Sequence, residues 1–220
     1  CHEEDAMDEL KYEWNFAFRL DHWVRVTAIA ILVFTGFYIH WPFIGGGPDS
    51  FLMAWIRFFH FVSAYALMLG LVVRVYLAFN SAFDRDWKDF GIFRNFRDLP
   101  DIIGYYLFIK GTHKDYRKYN PLQAFAYLFI AILIVFTAFT GAAIYNGKAF
   151  GTINTAESFM WVNTLLGGES YTRIWHFLSM WVIIIFVGVH VYMSLLQTAV
   201  SKDRTFTSIL TGYKLKKKTP

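Results

Sequence analysis

Charge is scarce in this chain, and so is cysteine. Only 17% of its 220 residues are Asp, Glu, Lys or Arg, against 56% hydrophobic and 20% aromatic. Those proportions disfavour an ordinary soluble domain and shift the expectation to a membrane protein. The single cysteine, Cys1, cannot close an intrachain disulfide, offers no framework for a metal cluster, and says nothing firm about redox compartment. Lipidation of Cys1 would put the N-terminus outside, against the charge distribution described below, so the missing initiator Met points instead to a missing or processed leader. There is no internal repeat of the kind that pairs a transporter's halves, and no low-complexity linker. Gly45-Gly-Gly-Pro48 reads as a turn, since no P-loop lysine follows it, and the acidic stretch from Glu3 to Glu13 as a solvated arm.

What is abundant is long apolar sequence. Runs free of Asp, Glu, Lys and Arg extend from Val26 to Pro48, Pro121 to Gly147 and Ile174 to Ser201, each longer than the roughly 20 residues needed to cross hydrocarbon. A fourth run, Phe51 to Phe79, is interrupted by Arg57 and Arg74. Both lie near its ends, where long cationic side chains reach the interface or pair with a bound cofactor. The expectation is an all-α, integral membrane four-helix bundle: one domain over residues 1–220, with helices roughly at 20–43, 52–79, 122–146 and 172–200. No soluble domain remains once the helices are removed.

Positive charge is distributed unevenly among the connections. Lys11, Arg19 and Arg25 lie in the N-terminal arm, eight Lys and Arg fall between Asn80 and Pro121, and six follow Thr198, while the other two connections hold only Arg57, Lys148 and Arg173. Cytoplasmic loops retain positive charge, so both termini and the central loop are expected in the cytoplasm. The first and third helices then run outward, the second and fourth inward. The net charge of +4 and the closing Lys214-Leu-Lys-Lys-Lys218 need no nucleic acid, because basic tails beside a bilayer meet anionic lipid headgroups.

Ionisable residues inside a membrane are expensive and are functional candidates by default. Of the seven histidines, four fall inside the helices at telling depths. His176 and His190 share the fourth helix fourteen residues apart, which is about 21 Å along its axis and within roughly 40° of one face. Each needs an imidazole at its own depth to form a bis-histidine haem site. His60 enters the second helix from outside as His176 enters the fourth, and His22 lies at the cytoplasmic end of the first, level with His190. The expected pairs are His60–His176 outside and His22–His190 inside. A single membrane histidine would be read as a helix–helix hydrogen bond; four matched in depth point to iron ligation.

A second pattern runs parallel. Arg19-Leu-Asp-His22, Arg57-Phe-Phe-His60 and Arg173-Ile-Trp-His176 each place Arg three residues before His, on the same helix face and on its water side. Arg is the best bidentate partner for a carboxylate, which makes Arg19, Arg57 and Arg173 candidates for haem propionates. Gly36, fourteen residues beyond His22, would let a porphyrin approach the helix closely, although helix packing explains a membrane glycine equally well. Arg74, fourteen beyond His60, would meet the inner haem or its quinone. His2 is assigned no role. His40, beside Trp41 and Pro42, reads as part of an interfacial aromatic belt. His113, in the basic central loop, stands where a quinone proton donor belongs.

Two stretches resemble a known family, the Ni/Fe-hydrogenase b-type cytochrome subunits, with formate dehydrogenase gamma subunits as more distant relatives. One is Arg19-Leu-Asp-His22-Trp23-Val24 continuing to Thr35-Gly36; the other is His176-Phe-Leu-Ser-Met-Trp181, then Phe186 and His190. Lys118-Tyr-Asn-Pro-Leu-Gln123 is shared with the formate dehydrogenase relatives. The resemblance implies two haem b groups on His22, His60, His176 and His190. It also implies a menaquinone site by the inner haem, carried over to His113, Asn120, Tyr192 and Met193. The implied partners are the iron–sulfur small subunit and Ni/Fe large subunit of a hydrogenase on the periplasmic side of a bacterial inner membrane. On this expectation the chain is the quinone-reducing part of a hydrogen:quinone oxidoreductase and has no hydrogen-activating site of its own. Two alternatives stand beside it: a formate dehydrogenase as electron donor, and a haem-free anchor for a peripheral complex.

Overall fold

A computed structural model describes residues 9–43, 45, 51–80, 96–107, 109–110, 121–149, 151–201 and 204–216. In chain order the elements are β1 (Glu9–Tyr12), α1 (Phe16–His40), α2 (Leu52–Asn80), a short 3-10 turn at Phe96–Asp98, α3 (Leu99–Tyr106), α4 (Pro121–Ile144), β2 (Lys148–Ala149), β3 (Ile153–Asn154), α5 (Thr155–Ser158), α6 (Met160–Leu165), α7 (Glu169–Ser201), α8 (Thr205–Thr211) and β4 (Tyr213–Lys216). Helices α1, α2, α4 and α7 are each long and apolar enough to cross a membrane. In lipid a spanning segment must satisfy its backbone internally, which a helix of this length does. The chain is a multi-pass, all-α membrane protein.

Helix ends follow local chemistry. The first helix stops at His40, earlier than the apolar run alone suggests, because Pro42 has no N–H to continue the ladder; Trp41 turns extended while its N–H still bonds Phe37 O. Pro121 opens α4, a position where the missing donor would be unpaired in any case. Gly167 and Gly168, with φ of +89° and +117°, form the corner from which α7 starts, a backbone region that side chains disfavour.

The described residues divide into two compact units, and α2 and α7 run through both. One combines Cys1–Arg74 with Ile184–Pro220, and the other is Val75–Ile183. In the first, β1 and β4 pair antiparallel, Glu9 opposite Lys216 and Tyr12 opposite Tyr213, so the two ends of the chain are tied together. The knot is tightened by Trp14 Nε1 donating to Ser208 Oγ at 3.1 Å, Trp23 Nε1 to Ile209 O at 3.4 Å, and Arg19 Nη1 to Leu210 O. Gly212 ends α8 at φ +89°, and a Cβ there would lie 2.8 Å from the Tyr12 ring. In the second unit, the connection between α4 and α7 folds back as the β2–β3 hairpin and the short helices α5 and α6. It is held by Thr155 Oγ1 donating to Tyr145 O at 2.6 Å and Asn163 Nδ2 to Ala143 O at 3.0 Å.

Packing within both units is that of a membrane protein. Small and hydroxyl residues are buried, among them Ala28, Thr35 and Ser63 in the first unit and Ala124, Thr140 and Ser179 in the second, whereas Phe34, Leu69 and Ile185 are more than half exposed. Lipid tails are as apolar as Leu, so close helix approach depends on small side chains and not on burying large ones. The buried hydroxyls bond back to their own helices: Thr35 Oγ1 donates to Ile31 O at 2.6 Å and Ser179 Oγ to Trp175 O at 2.8 Å, which satisfies them at these depths.

Candidate haem-ligand site

In the first unit the His60 ring, on α2, lies against α1, with its Nδ1 2.8 Å from Thr35 Oγ1. The threonine hydroxyl has one hydrogen, and it points at the Ile31 carbonyl 2.6 Å away, which can only accept. The hydroxyl therefore accepts from His60, whose hydrogen sits on Nδ1. That leaves the Nε2 lone pair as the coordinating end of a neutral imidazole.

The second unit repeats the arrangement on different helices. His176 Nδ1, on α7, donates to Thr137 O on α4 at 3.1 Å and lies 3.1 Å from Thr140 Oγ1. Because a carbonyl cannot donate, His176 also carries its hydrogen on Nδ1. The Thr140 hydroxyl passes its own to Thr137 O at 2.9 Å or Phe136 O at 3.1 Å. The next residue, Gly141, lets the ring come close to the helix: a Cβ there would lie 3.0 Å from His176 Cε1.

His22 and His190, in the first unit, are near enough for their charges to act on each other, and Arg25 acts on His22 as well. His22 Nδ1 is buried and meets no hydrogen-bond partner among the described residues. Phe186, one turn before His190, lies parallel to its ring, 6.1 Å away with planes 5° apart. Beside His22 lies an ion pair in the apolar interior. Asp21, its side chain 5% exposed, receives Arg25 Nη2 at 2.7 Å and Nε at 2.9 Å. Gly70 of α2 makes room for it, since a Cβ there would lie 2.7 Å from Arg25 Cγ. Arg74 acts on Asp21 electrostatically and stands over the Phe18 ring at 5.0 Å.

The other sequence-derived residues are dispersed. Arg19 reaches Leu210 O, and its buried Nε has no partner among the described residues. Arg57 is exposed and Gly36 half-buried. Arg173 pairs with Glu169 through Nη2 at 2.5 Å and Nε at 3.2 Å, both side chains exposed. On α7, Tyr192 is exposed and Met193 half-buried. His113 and Asn120 lie outside the described residues. His40, exposed at the end of α1, sits edge-on to Trp41 at 4.4 Å. Sequence reasoning missed Thr35, Thr137, Thr140, Asp21 and Gly141. Three of them share a local setting, Phe34-Thr35-Gly36 recurring as Phe139-Thr140-Gly141, which is too short to have marked them by itself.

The donor set suits haem iron. Among the described residues no three His, Cys, Asp or Glu side chains gather as they would around a caged metal. The helices instead present separate imidazoles. Two have Nδ1–H held by the chain, the arrangement that fixes metal-ligating histidines, and a third has a buried nitrogen with no hydrogen-bond partner among the described residues. The close approach at Gly141 belongs to the same picture.

Comparison with known proteins points the same way. The family profile described as "Prokaryotic cytochrome b561" matches residues 13–212. A protein of Cupriavidus necator named "Probable Ni/Fe-hydrogenase B-type cytochrome subunit" is 33% identical over 210 residues, covering 92% of this chain and 86% of its own length. One of the same name from Azotobacter vinelandii is 33% identical over 93% of this chain and 88% of its own. The "Probable Ni/Fe-hydrogenase 1 B-type cytochrome subunit" of Escherichia coli K12 is 29% identical over 92% and 90%.

Proposed function

Because this chain belongs to the prokaryotic cytochrome b561 family, we propose that it is the di-haem b-type cytochrome subunit of a respiratory Ni/Fe hydrogenase and carries electrons across the membrane to menaquinone. The observation that carries the reading is the state of the imidazoles: His60 and His176 hold hydrogen on Nδ1, which leaves Nε2 to bind iron. The hydrogenase assignment over a formate dehydrogenase rests on the relatives, whose names specify Ni/Fe hydrogenase.

On this reading His60 and His176 are axial ligands of an outer haem b, and His22 and His190 of an inner one, as depth along the helices suggests. When bound, two such groups supply a one-electron relay between the two faces of the membrane. The protein's part is to fix the ligands, hold the propionates near Arg19, Arg57 and Arg173, and keep the interior apolar. The small iron–sulfur and large Ni/Fe subunits dock on the periplasmic face of the inner membrane. Both termini and the central loop lie in the cytoplasm, as the Lys and Arg distribution implies. Menaquinone binds beside the inner haem, near Tyr192, Met193 and Asn120. His113 gives it a proton as it gains charge and recovers one from cytoplasmic water, a task suited to imidazole.

The test is an optical spectrum and haem quantitation of the purified chain, followed by turnover of its complex. Two reducible b-type haems per chain are expected, and a chain without Soret absorption would leave only the anchor. His113→Leu should keep both haems reducible by hydrogen while slowing menaquinone reduction about a hundredfold, the lower end for losing a general acid. Undiminished turnover in that variant would reject His113 and shift attention to Asn120 and Tyr192.

A further inference from the structure

The same device appears twice, once in each unit. Thr35 of α1 accepts the Nδ1 hydrogen of His60 of α2, at 2.8 Å. Thr140 of α4 lies 3.1 Å from Nδ1 of His176 of α7, and Thr137 O takes that hydrogen at the same distance. In both cases the threonine is fully or nearly fully buried, 2% exposed at Thr35 and 0% at Thr140. Both follow Phe and precede Gly. In both, the hydroxyl's own hydrogen goes to a carbonyl of its helix, which turns the oxygen lone pairs toward the neighbouring ring. A membrane threonine that bonded only its own backbone would need no imidazole, and one that merely tied two helices together could take either ring nitrogen in either role. Here the carbonyls that take the hydroxyl hydrogens, and Thr137 O at His176, place the proton on Nδ1 and the lone pair on Nε2.

We infer that Thr35 and Thr140 are positioning residues that set the tautomer and ring plane of His60 and His176, and through them the redox potential of the haem those histidines ligate. The inference rests on the reading that His60 and His176 are iron ligands. An acceptor on the far nitrogen makes an imidazole a stronger donor to iron and fixes its plane. A stronger donor favours the oxidised iron, so the hydroxyls hold the potential down. At His176 the Thr137 carbonyl shares the load, and Gly141 keeps the ring from being displaced by a side chain of its own helix partner.

The experiment compares Thr35→Val, Thr35→Ser, Thr140→Val and Thr140→Ser with His60→Ala and His176→Ala, all in the full chain purified from membranes. Three quantities are read: haem per chain, midpoint potential by redox titration, and the low-spin ferric EPR g-values, which report ring orientation. Valine keeps the shape and removes the acceptor; serine keeps the acceptor and removes the methyl. The expected result is an upward shift of one haem's potential and a changed g-value in each Val variant, or loss of that haem, with wild-type behaviour restored by Ser. If both Val variants keep wild-type potential and g-values, or if Ser restores nothing, the positioning role is overturned and the threonines are packing residues. If His60→Ala and His176→Ala keep full haem, the ligand reading itself fails, which is a separate result.

Discussion

Two kinds of setting for a membrane histidine solve the same problem differently in this molecule. Around His60 and His176 every hydrogen on the far imidazole nitrogen is met by the chain, through Thr35 in one case and Thr137 and Thr140 in the other. Around His22 the polar chemistry is ionic: the pair Asp21–Arg25 sits beside it with Arg74 close by, and its own Nδ1 is buried with no partner among the described residues. A buried polar atom left unmet costs about 1–3 kcal/mol, and a charge in an apolar interior costs more unless it is paired. The first kind of setting, found once in each unit, is therefore built to hold its ring in one tautomer, and the second to hold charge near a ring. That difference suits the proposed function, in which one kind of imidazole is tuned by hydrogen bonds and the other stands beside proton and quinone chemistry.

The sharpest way to break the comparison is to remove the rings. His22→Ala and His190→Ala are expected to lose one and the same haem, and His60→Ala and His176→Ala the other, so each variant should retain about half the haem of the wild type, because a bis-histidine site fails when either axial ligand goes. Quantitation with spectra of each variant checks it. Depletion by His40→Ala equal to that by His60→Ala would mean that the ligands had been paired wrongly.

Much of this was legible in the sequence, and the exceptions are instructive. Four spans follow from apolar length, and the histidines stand out because an ionisable group in such a run has few bland explanations. The helix limit at His40 was hidden because apolar residues continue to Phe43 and only the chemistry of Pro42 stops the helix. Thr35 and Thr140 were not legible, since a threonine in a membrane helix normally bonds its own backbone and nothing local shows that a ring from another helix will arrive. Their shared Phe-Thr-Gly setting is too short to count as a repeat. Asp21–Arg25 could have been read from its i,i+4 spacing, yet burial, not spacing, is what makes it matter. The pairing of β1 with β4 joins residues from opposite ends of the chain, and no local pattern announces it.

The ionic region can be tested next. Asp21→Asn leaves the Arg25 charge in place without its carboxylate, and breaking a buried pair from one side costs about 3–5 kcal/mol. Arg25 is 22% exposed against 5% for Asp21, which places the expectation toward the lower end. Thermal unfolding in detergent should show a clear fall in the midpoint for Asp21→Asn. A double variant, Asp21→Leu with Arg25→Leu, should recover part of it because the Arg25 charge goes with its partner, while Arg74, which also acts on Asp21, keeps the recovery incomplete. A single variant as stable as the wild type would mean that water or a carbonyl oxygen already satisfies Arg25, and that the pair contributes nothing the region needs.

The smallest expected effects belong to the arginines three residues before the histidines, and here the two regions should differ in degree. Arg19 lies in the first unit, hydrogen-bonded to Leu210 O with its Nε buried, so its charge is poorly screened and acts on anything bound at His22. Arg57 is exposed, and water weakens its field. Arg173 is exposed and already paired with Glu169, so most of its charge is balanced by a neighbour in high dielectric, where such pairs carry little. A cation near a haem favours the reduced form, so replacing each arginine with Leu should lower a midpoint potential. Coulomb's law at intermediate dielectric puts the shift on the order of tens of millivolts for Arg19→Leu, with Arg57→Leu smaller and Arg173→Leu smallest. Redox titration of the three variants measures the order directly. Equal shifts would show that pairing with Glu169 does not screen Arg173 when the haem is present, and three unchanged potentials would return all of these arginines to ordinary anchoring at the membrane interface.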